Sequence, residues 1–336
     1  MYELSVIVST WRRPHILEEV LTALSNQTFN SDLFEVIVID SNSGDGTEQV
    51  VDEASNLHSL NMKYVNVDIN AIAVKRNRGI NEASGKFIVF LDDDCVPDIN
   101  HLEIFYKSAK KFIGKKIAWC GGVRFDDLLV KKSNYYRYRD SCHFSKNKPK
   151  PTSLSFQQIV TMNMLLERKI LLDNNIFFDE RYIGYGFEDI QFGLDLVNNG
   201  YELIPCEADI LHKEIYGDIK KFRIKFFHAG RDGMAVFKKI SPNYVNDLGK
   251  SALLEPVNSN DKRSTKVLLY LLHLLLDSKF PKIIANILLS TDKYSYLYST
   301  LAYRVTLAGA YREGVRARTD MSKINADRAN KDGWYQ

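Results

Sequence analysis

Cysteine is scarce in this chain, and none of it stands at a spacing that a cysteine-based site would use. The four cysteines are scattered over 336 residues and form no C-x-x-C pair: Cys95, Cys120, Cys142 and Cys206. We therefore expect reduced and mostly buried thiols rather than a disulfide framework. A zinc site at Cys142 and His143 is disfavoured, because no second ligand pair stands at zinc spacing.

A long hydrophobic run is also missing. The longest one, from Val267 to Leu276, is interrupted by Tyr270 and His273, and it is about half as long as the roughly 20 residues of a membrane-spanning helix. The first residues enter an apolar strand with no basic region and no small-residue cleavage site, so we expect no signal peptide. These absences predict a cytoplasmic protein.

Neither sign of charge is in clear excess. The 45 lysines and arginines face 42 aspartates and glutamates, and the formal net charge is +3, so we expect no nucleic-acid partner. The hydrophobic content of 45% and the aromatic content of 12% are typical of a folded enzyme and exclude a disordered chain. The length allows one large core, or a core with a smaller helical annex.

Apolar strands and amphipathic helices alternate over the first hundred residues. The predicted strands are 4–9, 34–40, 62–67 and 87–91, and the predicted helices are 14–26, one that begins near 47, and 71–83. Such alternation predicts a mainly parallel sheet with helices on both faces. Ligands of open α/β sheets bind at the carboxyl ends of the strands, which here carry Thr10, Arg12 and Arg13, then 40–45, then 92–94.

The remainder of the chain divides into two parts. We predict a strand at 117–125, a long mobile loop at 131–155, ordered structure from 161, a helix at 185–198 and a strand at 201–205. Beyond about residue 216 the patterns are helical, at 222–239, 262–277, 281–289 and 296–318. The sequence thus predicts a catalytic domain at 1–245 and a C-terminal helical region at 246–336.

Three carboxylates stand directly after an apolar strand, at Asp92, Asp93 and Asp94. Their mutual repulsion would be relieved by a hard divalent cation such as Mn²⁺ or Mg²⁺, which combines few carboxylates with phosphate oxygens. Residues i and i+2 on extended backbone share a side, so Asp92 and Asp94 are expected to act together and Asp93 to face away. The alternative is an acidic turn that caps a helix near Asp98.

Three further features could carry chemistry. Glu188 and Asp189 follow a glycine pair and open a helix, where they fit either a general base or ordinary N-terminal charge. His212 follows an apolar stretch and fits either a metal ligand or a histidine without a special role. Lys75, Arg76 and Arg78 fit either phosphate neutralisation or a solvated helix face.

These features occur in an order that resembles the family 2 glycosyltransferases, which have the A-type nucleotide-sugar fold. The resemblance spans roughly residues 4–240. The matching segments are 6–10 with Arg13-Pro14, 35–43 with 45–47, Arg76-Asn77 with 79–80 and 83–85, 90–94 with Pro97, Asn163, 178–180, 186–189 and His212. Each motif is weak alone, whereas their order and spacing make a specific set.

The resemblance implies a role for each matching residue. Thr10, Arg13, Asp40, Ser41, Arg76, Asp92 and Asp93 would bind the donor, and Asp92, Asp94 and His212 would lie at the metal. Asp189 would be the catalytic base, and Glu188 would help to hold the acceptor. The segment around Glu188 also resembles that of chondroitin-polymerase-like and galactosyltransferase-like enzymes, which favours a UDP-sugar. Ser41 stands where many members carry a second acid, so a different nucleotide stays open.

The function implied is an inverting, metal-dependent transfer of a hexose or N-acetylhexosamine to a glycan or lipid-linked acceptor, as in bacterial surface-polysaccharide synthesis. Two alternatives are a sugar nucleotidyltransferase and a non-catalytic partner subunit. The first would need a glycine-rich basic loop after the first strand, where Thr10, Arg12 and Arg13 stand instead. The second would be expected to lack one of the acidic motifs, and this chain keeps them all.

The C-terminal helical patterns combine leucines at 268, 269, 272, 275 and 276 with arginines at 304, 312, 316 and 318. A basic and apolar helical region can lie on an anionic membrane surface. The same leucines could instead pack on the catalytic domain or on a second subunit of an oligomer. Peripheral contact with the inner face of the cell membrane therefore remains one of two interpretations.

Overall fold

The computed structural model describes residues 2–214, 216–248 and 263–317. Within these ranges eight strands form one sheet in the order β3-β2-β1-β4-β7-β6-β8-β5. The strands are β1 (Leu4–Ser9), β2 (Phe34–Asp40), β3 (Met62–Asn66), β4 (Phe87–Asp92), β5 (Cys95–Pro97), β6 (Ile117–Arg124), β7 (Asn163–Glu167) and β8 (Glu202–His212). The mixed α/β architecture predicted from the sequence is confirmed.

Strands β1 to β4 form the parallel half of the sheet, with β1 between β2 and β4. Their side chains alternate between two cores, because successive residues of a strand point to opposite faces. Val6 and Val38 belong to the core on one face, whereas Ile7 and Ile39 belong to the core on the other. A sheet covered on both faces explains why these strands are apolar throughout.

Helices cover both faces of the sheet and continue beyond it. They are α1 (Pro14–Ser25), α2 (Thr47–His58), α3 (Ile72–Glu82), α4 (His101–Ala109), α5 (Asp127–Lys132), α6 (Asn134–Ser141), α7 (Arg168–Asp173), α8 (Glu188–Asn198), α9 (Ile219–His228), α10 (Met234–Ile240), α11 (Arg263–Asp277), α12 (Phe280–Ser290) and α13 (Thr300–Arg316). The predicted helices of the first hundred residues agree with α1 to α3 to within one or two residues.

The second half of the sheet is mixed. Strand β7 is antiparallel to both β4 and β6, whereas β8 is parallel to β6 and antiparallel to β5. Strand β8 is longer than predicted, because it joins the stretch 201–205 to the apolar stretch before His212. In this register His212 pairs with Cys95, so the end of β8 lies beside the acidic residues that follow β4.

The mobile loop predicted at 131–155 is wrong for its first third. Helices α5 and α6 occupy this region, and each has a side-chain cap: Asp126 accepts from Leu128 N and Leu129 N, and Ser133 Oγ accepts from Tyr136 N. Tyr135 and Tyr138 are buried. Basic and aromatic composition indicated a loop, but the tyrosines are core residues here, since later helices cover them.

The C-terminal helices pack on the sheet domain and on one another. Tyr303 of α13 stacks on Tyr138 with ring centroids 4.6 Å apart, and α13 also packs along α9. No helix in the described ranges is long and apolar enough to cross a membrane. The domain boundary near residue 245 stays a prediction, and Arg318 lies outside the described residues.

Candidate active site

A cleft of about 390 Å³ opens at the carboxyl ends of β1 and β4. Eight of the predicted site residues line it: Thr10, Arg13, Arg76, Asp92, Asp94, Glu188, Asp189 and His212. They come from five different parts of the sequence. They meet because β1, β4 and β8 end at this edge, where the N-terminus of α8 and one side of α3 also lie. The cleft thus brings together eight of the eleven residues that the sequence singled out.

The three consecutive acids point to two different sides, as expected for extended backbone. Asp92 and Asp94 line the cleft, whereas Asp93 is fully buried. Asp93 accepts a hydrogen bond from Thr10 Oγ1 at 2.7 Å and pairs with Arg13. Strand β5 follows the acids directly, so they do not form a cap on α4.

Asp94 and His212 face each other across the end of the sheet. His212 Nε2 lies 3.6 Å from Asp94 Oδ1, and the thiol of Cys95 completes a group of possible ligand atoms within 4.8 Å of one another. His212 Nδ1 is buried and has no hydrogen-bond partner among the described residues. A carboxylate and an imidazole at this separation fit a divalent ion such as Mn²⁺, and Asp92 lies outside the group.

The electrostatics of this pair suit a cation. Burial alone would raise the pKa of Asp94, but His212, Arg13 and Lys225 outweigh it and hold that pKa well below its usual range. Burial lowers the pKa of His212 despite the nearby carboxylate, which favours the neutral imidazole, the form that binds a metal. Burial of Asp93 raises its pKa.

Arg76 connects the acidic strand end to the candidate base. Its guanidinium donates to Asp92 Oδ1 at 3.0 Å and to Asp189 Oδ1 at 2.9 Å. Thr161 adds a second donor to Asp189 through its hydroxyl. Two side chains from different parts of the chain therefore orient Asp189 in the cleft. Arg76 itself is buried and is not part of a solvated helix face.

Glu188 lies beside Asp189 in a less polar setting. Its Oε2 atom is buried and has no hydrogen-bond partner among the described residues. Burial raises the pKa of Glu188 to about 8, and the charge of Asp189 adds to the effect. Neighbouring carboxyls with such different surroundings can take different roles, one as an ionised base and the other as a neutral group.

Three predicted donor residues do not line the cleft: Asp40, Ser41 and Asp93. Asp40 is fully buried and accepts hydrogen bonds from Ser43 and from Tyr64 Oη at 2.9 Å. Its carboxylate therefore holds the turn between β2 and α2. The sequence did not indicate this, because Tyr64 reaches Asp40 from the neighbouring strand.

The family model for "Glycosyl transferase family 2" matches residues 5–171. The match covers the parallel half of the sheet, the acids after β4 and the strand β7. The chain belongs to glycosyl transferase family 2.

The curated relatives of this family 2 chain act on several acceptors. A poly(ribitol-phosphate) beta-N-acetylglucosaminyltransferase, TarS of Staphylococcus aureus, is 30% identical over 183 residues, which are 54% of this chain and 30% of that protein. A GalNAc(5)-diNAcBac-PP-undecaprenol beta-1,3-glucosyltransferase of Campylobacter jejuni is 38% identical over 99 residues, 28% of this chain and 30% of the relative. The chain thus spans less than a third of the length of either relative.

Two solved structures share the A-type fold of this family 2 chain. The mannosyltransferase PcManGT from Pyrobaculum calidifontis, in complex with GDP-Man and Mn²⁺, has a TM-score of 0.52 at 19% identity and covers 93% of this chain and 86% of its own. The structure of residues 1–349 of S. aureus TarS in complex with UDP-GlcNAc has a TM-score of 0.50 at 17% identity. The match covers 94% of this chain and 91% of the TarS chain. At these identities the likeness concerns the fold.

Two lysines of the cleft lay outside the site residues that the sequence assigned, although Lys75 had been considered for phosphate neutralisation. Lys75 is buried and donates to Thr10 O at 2.7 Å and Asn70 Oδ1 at 2.8 Å, and burial lowers its pKa to about 8. Lys225 of α9 lines the cleft and lies 3.6 Å from Glu214 Oε1. The cation-rich pattern at 222–239 was the signal for Lys225, but only the tertiary structure shows which cation reaches the site.

Proposed function

We propose that this protein is an inverting, divalent-metal-dependent glycosyltransferase. It moves a hexose or N-acetylhexosamine from a nucleotide sugar, with UDP favoured, to a hydroxyl of a glycan or lipid-linked acceptor in bacterial surface-glycan synthesis. The observation that carries the proposal is the single cleft that holds both the Asp94–His212 pair and the Arg76–Asp189 pair. The names of the relatives support it, since TarS transfers N-acetylglucosamine and the C. jejuni enzyme has an undecaprenol-linked acceptor in its name.

Asp189 is the base in this proposal. Its carboxylate takes the proton of the acceptor hydroxyl as that oxygen attacks the anomeric carbon from the face opposite the departing diphosphate. Arg76 and Thr161 keep the carboxylate in one orientation, which lowers the entropic cost of reaching the reactive geometry. One displacement from the opposite face inverts the anomeric configuration.

Asp94 and His212 would hold the metal ion, with Asp92 turned toward Arg76. When bound, a divalent ion supplies Lewis-acid stabilisation of the charge on the leaving diphosphate. Arg13 and Lys225 lie on the same side of the cleft as Asp94, where their charges would also attract the diphosphate. Thr10 is proposed to border the nucleoside, together with the loop that follows β2.

Tyr185 and Glu188 would shape the acceptor side. Both line the cleft, and Lys225 Nζ lies 5.9 Å from the centroid of the Tyr185 ring. A neutral Glu188 can donate a hydrogen bond to an acceptor oxygen, whereas an ionised one would only accept. The apolar bulk of Tyr185 would exclude water, which competes with the acceptor for the sugar.

The first experiment is a thermal-shift screen of nucleotide sugars with and without Mn²⁺. A ligand that binds only the native state raises the melting temperature by mass action. We expect stabilisation by a UDP-sugar that depends on Mn²⁺ and is lost in Asp94→Asn. The matched control is Asp52→Asn, an exposed aspartate on α2, which should respond like the unmodified protein.

The same screen separates the alternatives. Stabilisation by a nucleoside triphosphate together with a sugar phosphate, and formation of pyrophosphate from them, would indicate a sugar nucleotidyltransferase. A folded protein that responds to no nucleotide sugar would indicate a non-catalytic partner subunit. Either result would contradict the proposal.

The proposed place of action is the inner face of the cell membrane. Nucleotide sugars and membrane-anchored acceptors meet there, and a peripheral enzyme would reach both. We include this location in the proposal because the name of the C. jejuni relative contains an undecaprenol, which is a membrane lipid.

A further inference from the structure

The outer side of α11 presents apolar side chains to solvent. Six of its residues are 39–67% exposed: Val267, Leu268, Tyr270, Leu271, Leu274 and Leu275. Their spacing of three and four residues places them on one side of the helix, opposite the buried His273 and Leu276. Helix α11 therefore uses its narrow side to pack on α13, and within the described residues its broad apolar side is exposed.

The neighbouring elements also carry exposed apolar side chains. Helices α11 and α12 pack on each other and on α13, and on α12 the exposed side chains again follow a helical spacing. We define the outer face as the six residues of α11 together with Phe280, Ile283, Ile287, Leu297 and Leu301. Clusters of exposed apolar side chains of this kind mark sites of interaction with a protein or a membrane.

Positive charge accompanies the outer face. Residues 263–317 contain eight lysines and arginines and three acids. Lys279 directly precedes the exposed Phe280, and Lys293 is exposed with its Nζ 5.2 Å from the centroid of the Tyr294 ring. Cations beside exposed apolar and aromatic side chains match the interface of an anionic bilayer.

The three acids of this region are drawn away from the outer face by partners. Asp277 pairs with Arg312 at 2.7 Å, and Glu313 pairs with Lys282 at 2.8 Å. Asp292 Oδ1 accepts a hydrogen bond from the backbone of Tyr135 at 2.7 Å. These pairs also occupy Lys282 and Arg312, but the cations of this region outnumber its acids, so its net charge is positive.

We propose that the outer face docks on the surface of an anionic lipid bilayer. Amphipathic helices with cations at the border of an apolar side lie in the interfacial plane, and each cation near an anionic surface adds to the attraction. Two like-charged copies of this face would repel each other, which disfavours self-association. Membrane docking itself does not depend on the proposed function. Its consequence does, because docking would bring the active site to a lipid-linked acceptor.

The test is flotation of the whole purified chain with lipid vesicles. We expect binding to vesicles that contain phosphatidylglycerol, weaker binding to phosphatidylcholine alone, and a decrease at high salt as charges are screened. The triple variant Leu268→Glu/Leu271→Glu/Leu274→Glu should bind at least about tenfold more weakly. The control is Leu57→Glu on α2, which is 79% exposed and should bind like the unmodified chain.

Three results would overturn the proposal: no flotation with phosphatidylglycerol vesicles, unchanged flotation of the triple variant, or a dimer in solution that the triple variant abolishes. The last would assign the outer face to a second copy of the chain. All four substituted leucines are exposed, so melting temperatures should confirm that each variant is folded. Nucleotide-sugar binding is measured separately. A failure of vesicle binding would therefore leave the proposed enzyme activity intact, and a failure of nucleotide-sugar binding would leave the proposed membrane surface intact.

Discussion

At the scale of the residue, Asp189 depends on neighbours that the sequence does not reveal. Arg76 comes from α3, and Thr161 precedes β7. Both donate to Oδ1, which leaves the orientation of the carboxylate fixed before an acceptor binds. A base of this kind should be sensitive to the loss of one donor even when its own side chain is unchanged.

We predict that Thr161→Val lowers kcat about tenfold and leaves the KM for the donor nearly unchanged. A hydrogen bond to a charged group contributes about 1.5–3 kcal/mol, and about 1.4 kcal/mol corresponds to a factor of ten in rate. Steady-state kinetics at saturating acceptor would measure the effect. Thr161→Ser keeps the hydroxyl and should restore most of kcat; a Ser variant as slow as the Val variant would contradict the positioning role.

A second residue-scale prediction concerns Glu188 and pH. Its pKa is raised from 4.5 to about 8 by burial, so the native state favours the protonated form. The corresponding stability is fully present below pH 4.5 and is lost as pH rises through about 8. Glu188→Gln removes this titration, so the variant should match the unmodified chain at pH 4.5 and melt a few degrees higher above pH 8.

Thermal melts across this pH range in metal-free buffer would test that prediction. The control is Glu53→Gln, an exposed residue of α2, whose melting temperature should follow the unmodified chain at every pH. If the difference between Glu188→Gln and the unmodified chain stayed constant with pH, Glu188 would already be ionised in the native protein.

At the scale of the element, helices α9 and α13 approach closely enough that glycine is required at their contact. A Cβ atom on Gly314 would lie 2.0 Å from the carbonyl oxygen of Phe227, and one on Gly230 would lie 2.2 Å from that of Tyr311. Backbone atoms cannot move aside as a flexible side chain can. The two helices therefore pack by main-chain contact, and Lys225 on α9 is held over the cleft.

Gly314→Ala should therefore destabilise the protein by about 1–3 kcal/mol, the usual cost of overpacking a tight contact. Urea unfolding of the variant and the unmodified chain would measure the change. Arg304→Ala, at an exposed position of the same helix, is the control and should have little effect. Equal stability of Gly314→Ala and the unmodified chain would mean that α13 does not pack on α9 as described.

The strands differ in how well the sequence alone predicts them. Strands β1 and β2 were predicted with their observed bounds, because each is a short apolar run covered on both faces. Strand β8 was predicted only at 201–205, because Pro205 and Glu207 interrupt its apolar pattern. Its pairing with β6 and β5 supplies the hydrogen bonds that continue the strand, and this pairing brings His212 to Asp94.

At the scale of the whole molecule, the core crosses the predicted domain boundary near residue 245. Leu288, Tyr303 and Leu307 share a core with the sheet, and Tyr311 packs in another core with Phe187. Phe187 directly precedes the two acids of α8. Removal of the C-terminal helices would expose this residue and the buried tyrosines of α6.

We therefore predict one cooperative unfolding transition for the whole chain and a clearly lower melting temperature for a fragment of residues 1–248. Shared apolar contacts couple the two parts, so neither part can unfold without exposing the other. Differential scanning calorimetry would measure both. Two separate transitions, or an unchanged melting temperature of the fragment, would instead support 1–245 as an independent domain.

The sequence by itself determined the order of strands and helices from β1 to β4, the position of Asp92, Asp94 and Asp189 at element ends, and the family. Local patterns suffice for these, since burial on both faces requires apolar strands and ligand-binding polar residues follow them. Tertiary structure alone decided that His212 meets Asp94, that Arg76 reaches Asp189 and that Asp40 is enclosed by its neighbours. These contacts join residues far apart in the chain, and strand register and helix packing fix them, which no local pattern encodes.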